Sequence, residues 1–196
     1  MIETFLSDDM NPLVIDPRTT ALVLVDLQQS VVALPLAPRP AVEVVANAVR
    51  LLERFRSLGS TVVLVRVAFL DGKDRLNLPV DAPPPGRMGP SELVPEVGPQ
   101  PDDIVITKRQ WGAFYGTELD LQLRRRGIRT IVIGGIATNF GVESTARDAY
   151  ERGYEQIFAE DAMTSVNAEA HRFAVTMVFP RIGRVRSTDD ILRALA

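Results

Sequence analysis

The sequence predicts an α/β fold, a doubly wound and mostly parallel sheet with helices on both faces in three layers. Three observations carry this. The runs Ala21 to Val25, Thr61 to Val67 and Thr130 to Ile133 are short, rich in β-branched residues and continuously apolar, as strands buried on both faces are. Segments of helical period separate them, the clearest from Ala41 to Leu58, where Val44, Val45, Ala48, Leu51, Leu52 and Phe55 fall on one side. A length of 196 residues with 46% hydrophobic content fits one domain, residues 1–196, with a sizeable core.

Taken in order, Met1 to Arg18 is mixed and proline-punctuated, and it is expected to lie over the surface or reach a partner subunit. Ala21 to Val25 is the first strand. Asp26 follows at its carboxyl end, where open parallel sheets place their ligand crevice. A carboxylate there either caps a turn or does chemistry, and Gln28 and Gln29 beside it are placed to hold substrate or to decorate the loop. Pro35, Pro38 and Pro40 lead into the helix that Gly59 stops. Thr61 to Val67 is the second strand, with Arg66 near its end.

From Asp71 to Pro101 the composition changes, and this stretch holds eight of the chain's 14 prolines, including Pro83-Pro84-Pro85. So long a loop suits a lid or a subunit contact, with Arg75 and Arg87 as candidates for binding an anion. Asp103 to Ile106 is the third strand and delivers Lys108. Trp111, Phe114 and Tyr115 follow, fit to wall an apolar pocket or to pack in the core or a dimer contact. Thr117 and Asp120 are spaced as a capping pair for a helix running to Arg126.

The stretch Gly134 to Tyr154, GGIATNFGVESTARDAYERGY, reads as a strand end, a tight turn and a helix start. Helical spacing begins near Asn139 with Val142, Ala146, Ala149 and Tyr150, and Gly153 ends it. Free N–H groups at such a terminus attract an anion or a developing oxyanion. Gly141 either leaves room there for a ligand or lets helix and sheet pack closely. Beyond it, Glu155 to Ala159 is a strand and Asp161 a turn residue. A helix from Asn167 to Phe179, a strand near Ile182 to Val185 and a helix from Thr188 complete the chain.

GIATNFGVESTARDAYERGY resembles the signature of the isochorismatase-like (cysteine hydrolase) superfamily. ALVLVDLQ at Ala21 to Gln28 and the lysine of ITKRQWGAFYGTELD at Ile104 to Asp120 match it as well, in the right order. The resemblance extends from about Thr20 to Leu195 and implies the same Rossmann-like architecture. It places Asp26 and Lys108 at the family's catalytic acid/base and lysine positions, and Gly141 where most members carry a nucleophilic cysteine. Gln28, Trp111, Phe114, Ala137, Asn139 and Phe140 are the candidate substrate-binding residues around that centre.

The sequence has no cysteine, so thioester chemistry does not carry over. Members that share glycine at this position include isochorismatases proper, which protonate a vinyl ether and let water finish the hydrolysis. The expectation is therefore a hydrolase acting on isochorismate or a similar small anion, with Asp26 as acid and Lys108 assisting. A cysteine-independent amide or ester hydrolase is the alternative, and a ligand-binding or scaffold protein without turnover a third reading. An aspartate at its ordinary pKa of about 3.9 is only about 0.1% protonated at pH 7, an obstacle of roughly 4 kcal/mol. Lys108 would deepen it, whereas burial or a substrate carboxylate would lower it.

A net charge of −3 and a pI near 5.3 give no basic field for nucleic acid or an anionic membrane. The apolar runs are too short to span a bilayer. No signal peptide is visible and no disulfide framework is possible, so the expected location is cytoplasmic. No cofactor is expected, since there is neither a P-loop nor a GxGxxG. No metal is expected either, because His171 is the lone histidine, and Leu27 and Gln28 follow Asp26 where metal-binding relatives carry histidines. The expected partner is a small-molecule substrate, and the resemblance implies a homo-oligomer, dimer or tetramer.

Overall fold

A computed structural model describes residues 13–71, 73–75, 78–82 and 91–195. Its centre is a six-stranded parallel sheet of β1 (Thr20–Val25), β2 (Thr61–Val67), β3 (Ile104–Lys108), β4 (Thr130–Ile136), β5 (Glu155–Thr164) and β6 (Arg184–Arg186). The strand order is β3-β2-β1-β4-β5-β6. The chain winds one way from β1 to β3 and the other way from β4 to β6, so the winding reverses between β1 and β4. A crevice opens at the carboxyl ends of strands at such a reversal.

Helices cover both faces as the apolar runs require, because a strand with no polar side needs cover on each. The helices are α1 (Gln29–Val32), α2 (Ala41–Ser57), α3 (Leu119–Arg125), α4 (Glu143–Glu151), α5 (Ala168–Phe173), α6 (Phe179–Ile182) and α7 (Thr188–Ala194). On one face Leu22, Leu24 and Leu64 pack against Val44, Ala48, Leu51 and Phe55 of α2 and Ile191 of α7. On the other, Val23, Val25, Val65 and Ile133 meet Leu119 and Leu123 of α3, Ala146 and Ala149 of α4, and Phe179 of α6. Phe158 and Phe179 stack with ring centroids 4.1 Å apart.

Several boundaries differ from expectation. β3 runs on to Lys108, so the lysine is the strand's last residue rather than a loop residue beyond it. β5 continues to Thr164, and Asp161 lies inside it instead of in a turn. The Asp161 carboxylate accepts from the Thr188 backbone N–H and hydroxyl, both at 2.7 Å, which anchors the start of α7. The expected capping pair at Thr117 and Asp120 does not form. Asp120 instead accepts from the Tyr154 hydroxyl at 2.9 Å, and a capping box stands at Ser187 and Asp190. The helix expected from Asn167 is interrupted by a π-helical turn, Ala174–Val178, between α5 and α6.

Ile15, in the segment expected at the surface, is buried in the α2 and α7 layer, and its amide donates to Ala194. Residues 1–12 lie outside the described residues, as do Arg87 and the Pro83 to Pro85 run of the long loop. Arg75, the other anion-binding candidate in that loop, sets its guanidinium 5.8 Å from the centroid of the Phe69 ring.

Candidate active site

β1, β3 and β4 deliver the three signature positions to one place. Asp26 follows β1 with φ of 53°, a left-handed conformation uncommon outside glycine, and its amide donates to the Val65 carbonyl at 2.9 Å. Strain of this kind turns the side chain off the strand's alternation, and it concentrates at functional positions. Lys108 comes from β3, two strands away, and its Nζ donates to Asp26 Oδ2 at 2.7 Å and to the Gln110 carbonyl at 3.2 Å. The two side chains are only 2% and 9% exposed, so little water screens the pair.

The other Asp26 oxygen, Oδ1, is buried and has no hydrogen-bond partner. An unpaired carboxylate oxygen away from water is unfavourable, which leaves this atom available to a ligand or a proton. Burial raises the Asp26 pKa above the ordinary carboxylate value, and Lys108 opposes the shift without reversing it.

Gly141 completes the site from the turn after β4. Gly135, at φ of 122° in β4, has room for no side chain, since a Cβ there would lie 2.1 Å from the Val25 carbonyl oxygen. This lets the end of β4 lie close against β1. The Ile136–Ala137 peptide bond is cis, and Thr138–Val142 forms a π-helical turn that runs into α4. A Cβ on Gly141 would stand 3.0 Å from Asp26 Oδ2 and 3.1 Å from Val25 Cγ1. The absent side chain therefore faces the Asp26 carboxylate.

The turn is held from several sides. The Phe140 and Val142 amides both donate to the Ala137 carbonyl, so these two N–H groups at the start of the helix have a protein acceptor and are not free for an anion. Thr145 donates to the Gly141 carbonyl at 2.6 Å and accepts from the Ala113 amide at 3.0 Å. Asn139 Oδ1 accepts from Ser165.

The remaining sequence candidates divide. Trp111 is exposed and meets Phe140 edge-on with centroids 5.0 Å apart, forming an aromatic rim beside Gly141. Half-buried Ala137 and Asn139 line the same turn. Phe114 is buried in the core, stacked on Tyr154 at 5.9 Å and covered by Arg152, so it walls no pocket here. Gln28 is likewise redirected. Its amide donates to the Val67 and Ser91 carbonyls at 3.0 and 2.9 Å and accepts from the Val67 amide at 2.9 Å, clamping β2 to the loop before Val94.

The sequence reading missed Gln110, Thr138, Thr145 and the surroundings of His171. Thr138 and Thr145 act through one hydroxyl on backbone groups and Gln110 through its carbonyl on the Lys108 ammonium, contacts that leave no periodic trace. Only the uniqueness of His171 could have drawn attention. Among the described residues, no group of three or more His, Cys, Asp or Glu is placed to hold a metal ion.

The chain is similar to known proteins in sequence and in fold. Residues 20–190 match the isochorismatase domain. The isochorismatase family protein YwoC of Bacillus subtilis is 50% identical over 188 residues, 93% of this chain and 97% of its own. The structure of an isochorismatase family protein from Burkholderia thailandensis superimposes with a TM-score of 0.89 at 44% identity, covering 94% of this chain and 99% of that one. The ureidoacrylate amidohydrolase RutB of Caulobacter vibrioides is 34% identical, over 77% of this chain and 79% of its own.

Proposed function

The chain belongs to the isochorismatase family of hydrolases, and on that premise we propose that it hydrolyses a small anionic vinyl ether, isochorismate or a close analogue, without a covalent intermediate. The observation that carries the reading is Asp26 Oδ1, a buried carboxylate oxygen with no partner, on a carboxyl group whose other oxygen faces a glycine in a chain with no cysteine. Such a site offers an acid and no thiol nucleophile.

In the proposed reaction, Asp26 transfers its proton to the terminal carbon of the vinyl ether. A C–H bond forms, and the positive charge is shared between the adjacent carbon and the ether oxygen. Water adds to that carbon and loses a proton. The resulting hemiketal collapses to a ketone and an alcohol, with the C–O bond broken, the departing oxygen protonated and the acid restored.

Lys108 binds Oδ2 and so leaves Oδ1 to face the substrate. The raised Asp26 pKa enlarges the protonated fraction, and a substrate carboxylate nearby would raise it further. Gly141 lets the turn lie close against the Asp26 carboxylate, and Trp111 and Phe140 form an apolar wall beside it. Pyruvate release from isochorismate, absent in Asp26→Asn, tests the reading.

Similarity to ureidoacrylate amidohydrolases supports a second reading, in which Asp26 acts as base on a water that attacks an amide. The two differ in sign with pH. Acid catalysis strengthens as pH falls, base catalysis weakens, and ammonia rather than pyruvate is released. Assembly into a dimer or tetramer belongs to the proposal too, supported by the exposed Trp111, Tyr115 and Phe140, and sedimentation measures it. No described helix is long and apolar enough to cross a membrane, and a cytoplasmic location is part of the same proposal.

A further inference from the structure

Behind the turn lies a polar network that the proposed reaction does not use. His171 of α5, the chain's single histidine, is 4% exposed, and its Nδ1 lies 2.8 Å from Thr138 Oγ1. The same hydroxyl lies 3.0 Å from the Thr164 carbonyl oxygen, to which it can only donate. Thr138 is fully buried and begins the turn that presents Phe140 and Gly141 to Asp26. On the far side of the ring, His171 Nε2 lies 3.5 Å from Glu160 of β5, which Arg39 also grips at 2.9 Å.

Resting on the reading that this turn faces the reacting atoms, we propose that His171 is a positioning residue, setting the Thr138–Val142 turn through the Thr138 hydroxyl. The argument is one of proton counting. A hydroxyl has one proton and can give it to only one acceptor. When Nδ1 carries a proton, the ring donates to Thr138, and the hydroxyl proton is directed to Thr164, tying the turn to β5. When Nδ1 is bare, it competes for that hydroxyl proton, and the tie to Thr164 is lost.

A neutral ring keeps its single proton on Nε2, the nitrogen that faces the Glu160 carboxylate, and so bares Nδ1. Glu160 faces the ring from β5, and its carboxyl is held below the usual value first by the His171 ring and then by Arg39. Arg39, preceding α2, and Glu169 and Arg172 from the histidine's own helix line the same cavity of about 540 Å³. That cavity reaches the ring from outside, so protons can exchange without opening the core. Protonation of His171 thus fastens the turn, and deprotonation loosens it.

Because the chain has one histidine, ring-labelled protein gives a single pair of ¹⁵N ring signals. The test follows these and the Gly141 amide signal across about pH 5 to 8, the range in which histidine ordinarily titrates. The inference expects the Gly141 signal to move with the ring's midpoint. That movement should vanish in Thr138→Val, which lacks the hydroxyl, and persist in Thr138→Ser, which keeps it.

A ring that holds one protonation state throughout would overturn the inference, as would a Gly141 signal indifferent to the ring or a response unchanged in Thr138→Val. Should Thr138→Val fail to fold, His171→Asn and His171→Leu decide. Asparagine places an N–H donor near Nδ1 and leucine does not. The Gly141 signal at the low end of the range should resemble the parent's in the first and differ in the second, and equal displacement in both would overturn the inference. None of these signals needs substrate, so failure of isochorismate hydrolysis leaves the test intact. Where hydrolysis is seen, His171→Leu should lower kcat about tenfold at unchanged KM, with His171→Asn restoring most of it.

Discussion

Replacing Asp26 by Asn removes one charge of a buried pair and leaves the shape nearly intact. Lys108 Nζ lies 2.7 Å from the carboxylate oxygen, both side chains being almost fully buried. At that distance, with an effective dielectric constant near 20, the attraction is about 6 kcal/mol before desolvation is subtracted. Breaking a buried pair by removing one partner generally costs about 3–5 kcal/mol. The lower end applies here, because asparagine retains an acceptor oxygen and the Gln110 carbonyl still receives the ammonium at 3.2 Å. For a chain of this length each kcal/mol moves Tm by about 2–4 °C, so a loss of about 3 kcal/mol lowers Tm by roughly 6–12 °C at neutral pH.

Scanning calorimetry of the parent, Asp26→Asn and the double variant Asp26→Asn/Lys108→Met measures the effect. The double variant leaves no orphaned charge and should recover at least half of the loss. An Asp26→Asn Tm within about 2 °C of the parent, or a double variant no better than the single, would refute the claim that the two side chains act as a coupled buried ion pair.

Other outcomes follow from the same geometry. Gly141→Ala puts a Cβ 3.0 Å from Asp26 Oδ2 and 3.1 Å from Val25 Cγ1, so catalytic efficiency should fall about 100-fold, since small misplacements of reacting groups cost that much. Its Tm should change little, because alanine's better helix propensity offsets part of the crowding. Gln28→Ala strips three hydrogen bonds from backbone groups and should cost about 3 kcal/mol in urea unfolding with KM nearly unchanged. Glu160 has a depressed pKa, so its contribution to stability is present above the ordinary glutamate range and lost as pH falls through the folded value. Glu160→Gln should therefore destabilise the protein at neutral pH and show a shallower loss of Tm on acidification. Asp26, shifted upward, has the opposite sign: its contribution is full below the ordinary aspartate range and is lost as pH rises through the folded value, so the loss in Asp26→Asn at neutral pH is the cost of leaving the buried Lys108 charge without a partner.

The elements that were legible in the sequence are those with a single strong pattern. Thr61–Val67 and Ala41–Ser57 could be bounded almost to the residue because β-branched runs and helical spacing have few competing explanations. The meeting of Asp26, Lys108 and Gly141 was legible through the family resemblance, with which their places at or after the ends of parallel strands agree, since strand ends share one edge of the sheet. Side-chain partners were not. Gln28 looked like a substrate ligand because sequence position says nothing of direction, and its amide is taken by Val67 and Ser91. Phe114 could wall a pocket or pack in the core, and it takes the second place, stacked on Tyr154, a partner 40 positions away that no local pattern announces. The extension of β5 through Glu160 and Asp161 ran against low strand propensity, which tertiary contacts override: Arg39 pairs with the first and Thr188 with the second.

The most direct test of the account is pyruvate release from isochorismate by the parent and by Asp26→Asn as pH is lowered. The account predicts release that rises toward the upward-shifted Asp26 pKa and disappears in the variant. Release at an equal rate from both proteins, or none from the parent, would contradict the assignment of Asp26 as the acid that opens a vinyl ether.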